Sequence, residues 1–393
     1  MFAHLFPHFG NRNILLYYLM GIFLNGWFIL PNWVFYFSRY LSLSEVGLVE
    51  GVAVLVGILM EVPSGVLSDM LGKRKTIIFG SLCLIASCVI LINARELIDF
   101  LIGNVMMFIG FSFQSGATEA FAYDSLLAKK QEKNYSTVAA KYGVIVTVMT
   151  VLSTLTGGYL YSLRPEYTFY AWIVFLTVSL IISYIAVEPK IDSVKFSVSS
   201  YLRHLREGVG VLFGKSLRLY LVPVLALPIL IKLYQGIVRQ SSGAYFGYTG
   251  ETFGYLIALI MIPAVLISYK FDVIVGFFRE KKLLLFTISL YLVGFVLAYM
   301  SNAPLVGGIV FLLLMSSEKL VLPLVSLIIN ERIDSKHRAT TLSTLSLVTQ
   351  LPYVILVMQF AWLTEAQNIP KLYLLYIGFI ALVIWKTLNI KKV

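Results

Sequence analysis

Seven ionisable side chains fall inside long apolar stretches of this 393-residue sequence: Glu50, Glu61, Glu119, Lys232, Arg239, Glu318 and Lys319. An ionised group in hydrocarbon is costly, so each needs a partner or a water-filled cavity. A carboxylate in such a place is a candidate proton carrier, because a low dielectric favours its neutral form. A lysine or arginine there can hold an anionic group or pair with a carboxylate. The spacing is helical. Ser112, Ser115 and Glu119 stand at i, i+3 and i+7, and so do Lys232, Gln235 and Arg239. Lys319, Ser326 and Asn330 stand at i, i+7 and i+11, with Glu318 beside them. Tyr18, Asn25 and Asn32 are seven apart, with Tyr36 four further on. Each set predicts one polar stripe on one helix. Asn25, Asn32, Glu119, Lys232, Gln235, Arg239, Glu318 and Lys319 are therefore the candidates to contact a small molecule or pass protons. The competing reading is a set of interhelical ion pairs, for example Lys232 with Glu318. Glu61 lies one turn from a basic loop and reads as gating or structural. Glu50, in the outer half of its stretch, is placed to reach the interface.

The elements that must carry these residues are membrane-spanning helices. Hydrophobic residues make up 59% of the chain and charged residues 13%, with a mean hydropathy of +0.86. That is too little charge to cover a water-facing surface, and too much hydrophobicity for disorder, so a soluble enzyme is excluded. Twelve apolar runs are predicted as spans, at about 13–38, 45–67, 76–94, 97–122, 138–162, 167–187, 218–246, 252–269, 283–301, 304–329, 339–363 and 369–389. Kinks are expected at Pro223 and Pro228 in the seventh. One long polar break, Glu188 to Lys215, divides the spans six and six. Its apolar residues, including Val194, Phe196, Tyr201, Leu202 and Leu205, alternate with Lys190, Lys195, Arg203 and Arg206, which predicts an amphipathic helix on the membrane surface. The expected domains are an N-terminal bundle of residues 1–190, a linker of 191–216 and a C-terminal bundle of 217–393.

The net charge of +11 reads as topology. With the N-terminus in the cytoplasm, 24 of the 31 lysines and arginines fall on the cytoplasmic side, among them Arg279, Lys391 and Lys392. Four fall outside, and Lys232, Arg239 and Lys319 remain within spans. This places both termini in the cytoplasm of a multi-pass plasma-membrane protein. No nucleic-acid partner is expected, and the chain reads as a monomer. Trp33, Trp172, Trp362 and Trp385 sit near predicted helix ends, as an interfacial belt should, with Trp27 deeper. Cys83 and Cys88 share one apolar run and read as core packing rather than a disulfide. No small-residue cleavage site follows a short apolar core near the start, so the first span is expected to be retained. His4, His8, His204 and His337 lie outside the spans. With no P-loop, no metal cluster and no nucleophile triad, the sequence does not read as an enzyme or an ATP-driven machine, and no cofactor is expected.

The loop after the second span reads Gly65-Val-Leu-Ser-Asp69-Met-Leu-Gly72-Lys73-Arg74-Lys75. It resembles the signature loop of the major facilitator superfamily, Gly-x-x-x-Asp-Arg-x-Gly-Arg/Lys-Arg/Lys, with Met70 in place of the arginine. A degenerate second copy, Ser268-Tyr-Lys-Phe-Asp272-Val-Ile-Val-Gly276, lies half a chain further on. Thr156-Gly157-Gly158-Tyr159 is similar to the tail of a drug-antiporter motif, without its Gly-Pro element. Glu61-Val-Pro63-Ser-Gly65 and the stretch from Ser115 to Leu126 resemble a bacterial, drug/proton antiporter-like branch. The resemblance implies an all-α membrane protein of twelve helices in two pseudo-symmetric six-helix bundles. Spans one, four, seven and ten would line a central cavity, and the bundles would rock about it. It implies a gating loop of Gly65, Asp69, Gly72, Lys73 and Arg74, in which Gly65 permits close helix approach and Asp69 meets Thr340 and Thr341 at the start of span eleven. It implies secondary transport of a small molecule, driven by a proton gradient, with multidrug efflux by antiport as the first reading. The alternatives are uptake of a small anionic or zwitterionic metabolite by proton symport, and a receptor or scaffold without flux.

Overall fold

In lipid a backbone must satisfy its own hydrogen bonds, which leaves long apolar runs one solution, the helix. The computed structural model describes residues 11–189, 198–278, 280–365 and 367–390. Lys190, Val194, Lys195, Phe196, Arg279, Lys391, Lys392, His4 and His8 lie outside the described residues. The described chain is all-helical. Its helices are α1 (Arg12–Leu24), α2 (Trp33–Phe37), α3 (Leu43–Leu71), α4 (Lys73–Asn93), α5 (Leu97–Leu127), α6 (Tyr135–Leu163), α7 (Tyr167–Ile185) and α8 (Val198–Leu212). After them come α9 (Leu221–Leu233), α10 (Arg239–Tyr245), α11 (Gly250–Tyr269), α12 (Phe271–Phe277), α13 (Glu280–Met300), α14 (Pro304–Arg332), α15 (Ser335–Leu363) and α16 (Ile369–Leu388). Eleven segments of the described residues are long and apolar enough to cross a membrane. Large apolar side chains stay exposed along them, such as Leu59, Ile181 and Leu266. Such a surface suits acyl chains and not water.

The expected first span is divided. α1 ends at Asn25, and the chain turns irregularly through residues 26–32 before α2. Gly26 weakens the helix here, and Pro31 removes a donor and disfavours helix at Leu30. Short turn bonds replace the helical ladder, with Phe28 N donating to Gly26 O (3.0 Å) and Asn32 N to Ile29 O (2.9 Å). Non-helical backbone at membrane depth survives only when buried in protein. Phe28, Ile29 and Asn32 are buried, and Asn32 Nδ2 donates to Gly157 O (3.2 Å) in α6. Gly157 is what admits this segment, since a Cβ there would run into the Phe28 carbonyl. Gly157→Ala is thus expected to destabilise the protein by about 1–3 kcal/mol through overpacking, read as a lower melting temperature in detergent. An unchanged value would show that the turn does not depend on this seat. The seven-residue spacing of Tyr18, Asn25 and Asn32 spans a break, so these residues do not share one helical face.

The chain divides into two compact units: Met1–Trp33 with Val52–Val198, and Val34–Gly51 with Ser199–Val393. In the first, α1, α5 and α6 bury Ile14, Tyr17, Tyr18, Ala122, Leu126 and Val138 together. Gly80 of α4 and Gly110 of α5 let those helices touch, a Cβ on either lying 2.9 Å from the other's carbonyl oxygen. Cys83 and Cys88 are buried free thiols. Trp172 is not part of an interfacial belt, because it is wholly buried and stacks on Trp27 at 5.7 Å.

In the second unit the beginning of α3 packs on α15, where a Cβ at Gly51 would come within 2.9 Å of Val357 Cγ1. The linker helix α8 seats Gly208 against Thr344 and Thr340 of α15, leaving Arg203 and Arg206 exposed. Span seven does not break at its prolines. Pro223 sits in the first turn of α9, where a missing N–H is no loss, and α9 continues through Pro228. The helix opens at a π-turn, Tyr234–Val238, where Gly236 departs from helical backbone (φ −70°, ψ −120°). The Tyr353 hydroxyl occupies the place a side chain at 236 would need.

Candidate transport site and gating loop

The π-turn lies between Lys232 and Arg239, and turns of this kind often mark functional positions. Arg239 Nη2 donates to both oxygens of Glu318, at 2.9 and 2.8 Å. Gln235 Nε2 donates to Glu318 Oε2 at 3.0 Å. The Arg239 guanidinium also lies over the Tyr234 ring, 5.3 Å from its centroid. Glu318 is therefore matched by Arg239, whereas the sequence offered Lys232 as its partner. Gln235 is exposed at the edge of this cluster, while Lys232 in α9 and Lys319 in α14 are half-buried.

In the first unit the carboxylate stands differently. Glu119 of α5 is exposed, and among the described residues no cation lies within ion-pair distance of it. Tyr17, Tyr135 and Tyr142 are within its electrostatic reach. Tyr17 and Tyr142 stack at 4.1 Å. The Asn25 side chain hydrogen-bonds Tyr142 and donates to Gly21 O (2.9 Å), so Asn25 joins this cluster and Asn32 belongs to the turn. Ser112 donates to Gly57 O of α3 at 3.0 Å, whereas Ser115 is exposed beside Glu119's face. Glu61, Ser64, Asp69, Lys73, Ser112 and Ser115 line a cleft of about 270 Å³ between α3 and α5.

The loop between α3 and α4 shows how the chain works without the arginine that Met70 replaces. Met70 is exposed, and Lys73 supplies the cation. Its Nζ is 2.8 Å from Asp69 Oδ1 and 4.0 Å from Asp124 Oδ2. Gly72 takes φ +97°, the left-handed region that favours glycine. Glu188, after α7, then reaches the N-terminus of α4, accepting from Lys73 N (2.7 Å) and Arg74 N (2.9 Å). An anion at a helix N-terminus satisfies orphan donors and the helix dipole together. Arg74 Nη1 donates to Ala186 O (3.1 Å). One expectation fails here. Among the described residues nothing lies within 4 Å of a Cβ at Gly65, so it is not a close-approach point there. Thr340 and Thr341 lie inside α15, which begins at Ser335, and the Thr341 hydroxyl donates to His337 O.

The residues after the second copy of the loop make one contact of the same kind. Lys281 Nζ donates to Leu388 O (2.8 Å) at the end of α16 and to Ile390 O (2.7 Å) just beyond it, as Arg74 does to Ala186 O just beyond α7. Arg332 closes the same end by pairing with Glu280 at 2.7 Å over the Tyr220 ring at 4.1 Å. Glu188 and the buried tyrosines escaped the sequence analysis. The only available signals were an acidic residue at the edge of the polar break and a high tyrosine count.

Long apolar helices, with charge paired between them as in Arg239 and Glu318, define a polytopic membrane protein. The sequence profile of the Major Facilitator Superfamily matches residues 15–355, and the chain belongs to that superfamily. The fold is similar to that of the nucleoside transporter NupG, with a TM-score of 0.77, 8% identity, and 97% of this chain and 98% of that one covered. It is also similar to the D-xylose-proton symporter (TM-score 0.66, 13% identity, coverage 97% and 96%). A third likeness is to the human organic anion transporter MFSD10 (TM-score 0.63, 16% identity, coverage 96% and 99%). No curated protein matches by sequence.

Proposed function

We propose that the protein is a proton-coupled secondary transporter of the drug/proton antiporter-like branch, exporting small amphipathic molecules, with Glu119 as its proton-exchanging carboxylate. One observation carries this. Glu119 is exposed, deep in a membrane-spanning helix, ringed by Tyr17, Tyr135 and Tyr142, and has no cationic partner among the described residues. Glu318, in contrast, is paired with Arg239. That pair also removes Arg239 as an argument for an anionic substrate. The bundles 1–190 and 217–393 rock about a midplane site, and the basic loops and both termini face the cytoplasm.

The test uses proteoliposomes, a pH dye and ethidium as the amphipathic probe. Wild-type protein is expected to move ethidium against an imposed proton gradient, with Glu119→Gln losing the pH dependence while still exchanging ethidium at equal pH. Equal pH dependence in both proteins would remove Glu119 from the mechanism. Flux of probe and protons in one direction would favour the second reading, symport, for which the likeness to the D-xylose-proton symporter is the supporting observation.

A further inference from the structure

The Glu318 cluster extends past its ion pair, away from Gln235, into the interior of the second unit. Tyr291 of α13 and Tyr376 of α16 are both 1% exposed. Their hydroxyls are within electrostatic reach of the Glu318 carboxylate and of each other. Among the described residues neither hydroxyl meets a hydrogen-bond partner, and nor does the buried Nε of Arg239. The rings are held in place, Tyr376 stacked on Phe295 at 4.2 Å and Tyr291 against Phe295 at 5.4 Å. Rotation of a ring therefore does not relieve the unmet groups. Three buried polar atoms around one carboxylate form a polar pocket, and such groups in folded proteins are met by ordered water.

The polar chain continues. Tyr376 is also within electrostatic reach of Tyr353 of α15, and the Tyr353 hydroxyl donates to Glu50 Oε1 at 3.3 Å. At a 1.5 Å rise per residue, Glu50 lies about 10 Å from the Leu43 end of α3 and Glu318 about 21 Å from the Pro304 end of α14. The chain thus descends from the outer third of the helices to their middle. A phenol both donates and accepts, so it can pass a proton along such a line.

We propose that water fills the pocket around Glu318, Tyr291 and Tyr376, and that it and Tyr353 form a proton-exchange chain between Glu318 and Glu50. The charged and titratable groups facing Glu318 are Arg239 and Tyr234 from span seven, Tyr291 from α13 and Tyr376 from α16. Tyr353 of α15 faces Glu50. The inference rests on the proton-coupled reading, but its test needs no transport and leaves Glu119 untouched, so the two can fail separately.

Radiolytic hydroxyl-radical footprinting labels side chains beside bound water even when they are buried. In purified wild-type protein Tyr291 and Tyr376 are expected to label at least several-fold faster than Phe121, which is as deeply buried. Equal rates would overturn the water site. Infrared titration tests the connection, with the Glu318 carboxyl band identified by its loss in the Arg239→Met, Glu318→Met double variant. Glu50→Gln and Tyr353→Phe are both expected to move the pH at which that band appears. A band that stays in place in both variants would overturn the chain, whatever the footprint shows.

Discussion

Glu318→Ala is expected to cost about 3–5 kcal/mol, enough to abolish accumulation of folded protein or lower its melting temperature sharply. The reason is the guanidinium left behind. The Glu318 side chain is 5% exposed and that of Arg239 18%, so removing the carboxylate strands a cation in a low-dielectric interior. Arg239→Ala should do comparable harm by stranding Glu318. Replacing both with methionine should recover most of the stability, because a buried ion pair can be exchanged for apolar contacts at little net cost. Size-exclusion thermal stability of the two single variants and the double variant checks this. Wild-type stability in Glu318→Ala would mean the pair is solvated and not a bundle-holding contact.

The second large effect belongs to Lys73. Its ammonium lies between Asp69 and Asp124, whose side chains are only 26% and 16% exposed. Lys73→Ala would leave two partly buried carboxylates near each other and near Glu188. A cost of about 2–3 kcal/mol is expected, below the fully buried limit because the site is partly solvated. Lys73→Arg should retain most of the stability, since the charge is kept. Adding Asp69→Asn to Lys73→Ala should recover part of what was lost, since one of the repelling charges is gone. If the alanine variant matches wild type while Met70→Arg changes stability, the cation that matters is not Lys73.

These expectations come from partnerships that the linear pattern did not contain. Helix positions were legible because each spanning helix meets its own backbone needs, so composition along the chain is enough to locate it. The signature loop was legible from Asp69, Gly72 and Lys73 for the same local reason. The broken first span was not, although Gly26 and Pro31 were in view, because a polar turn at that depth depends on a burial site. Gly157, 125 residues from Asn32, supplies it. The stripe on span one failed as a single face because the helix ends at Leu24, before Asn25 and Asn32.

The sequence by itself determined that this is a polytopic helical membrane protein, where its spans lie, and which few residues carry charge into them. Only the tertiary structure decided how that charge is used. Arg239 meets Glu318, Lys73 stands in for the arginine missing at Met70, and Glu188 reaches 115 residues to cap α4. A helix is specified by neighbours along the chain, whereas an ion pair is specified by which helix faces approach within about 3 Å, and that is set by packing.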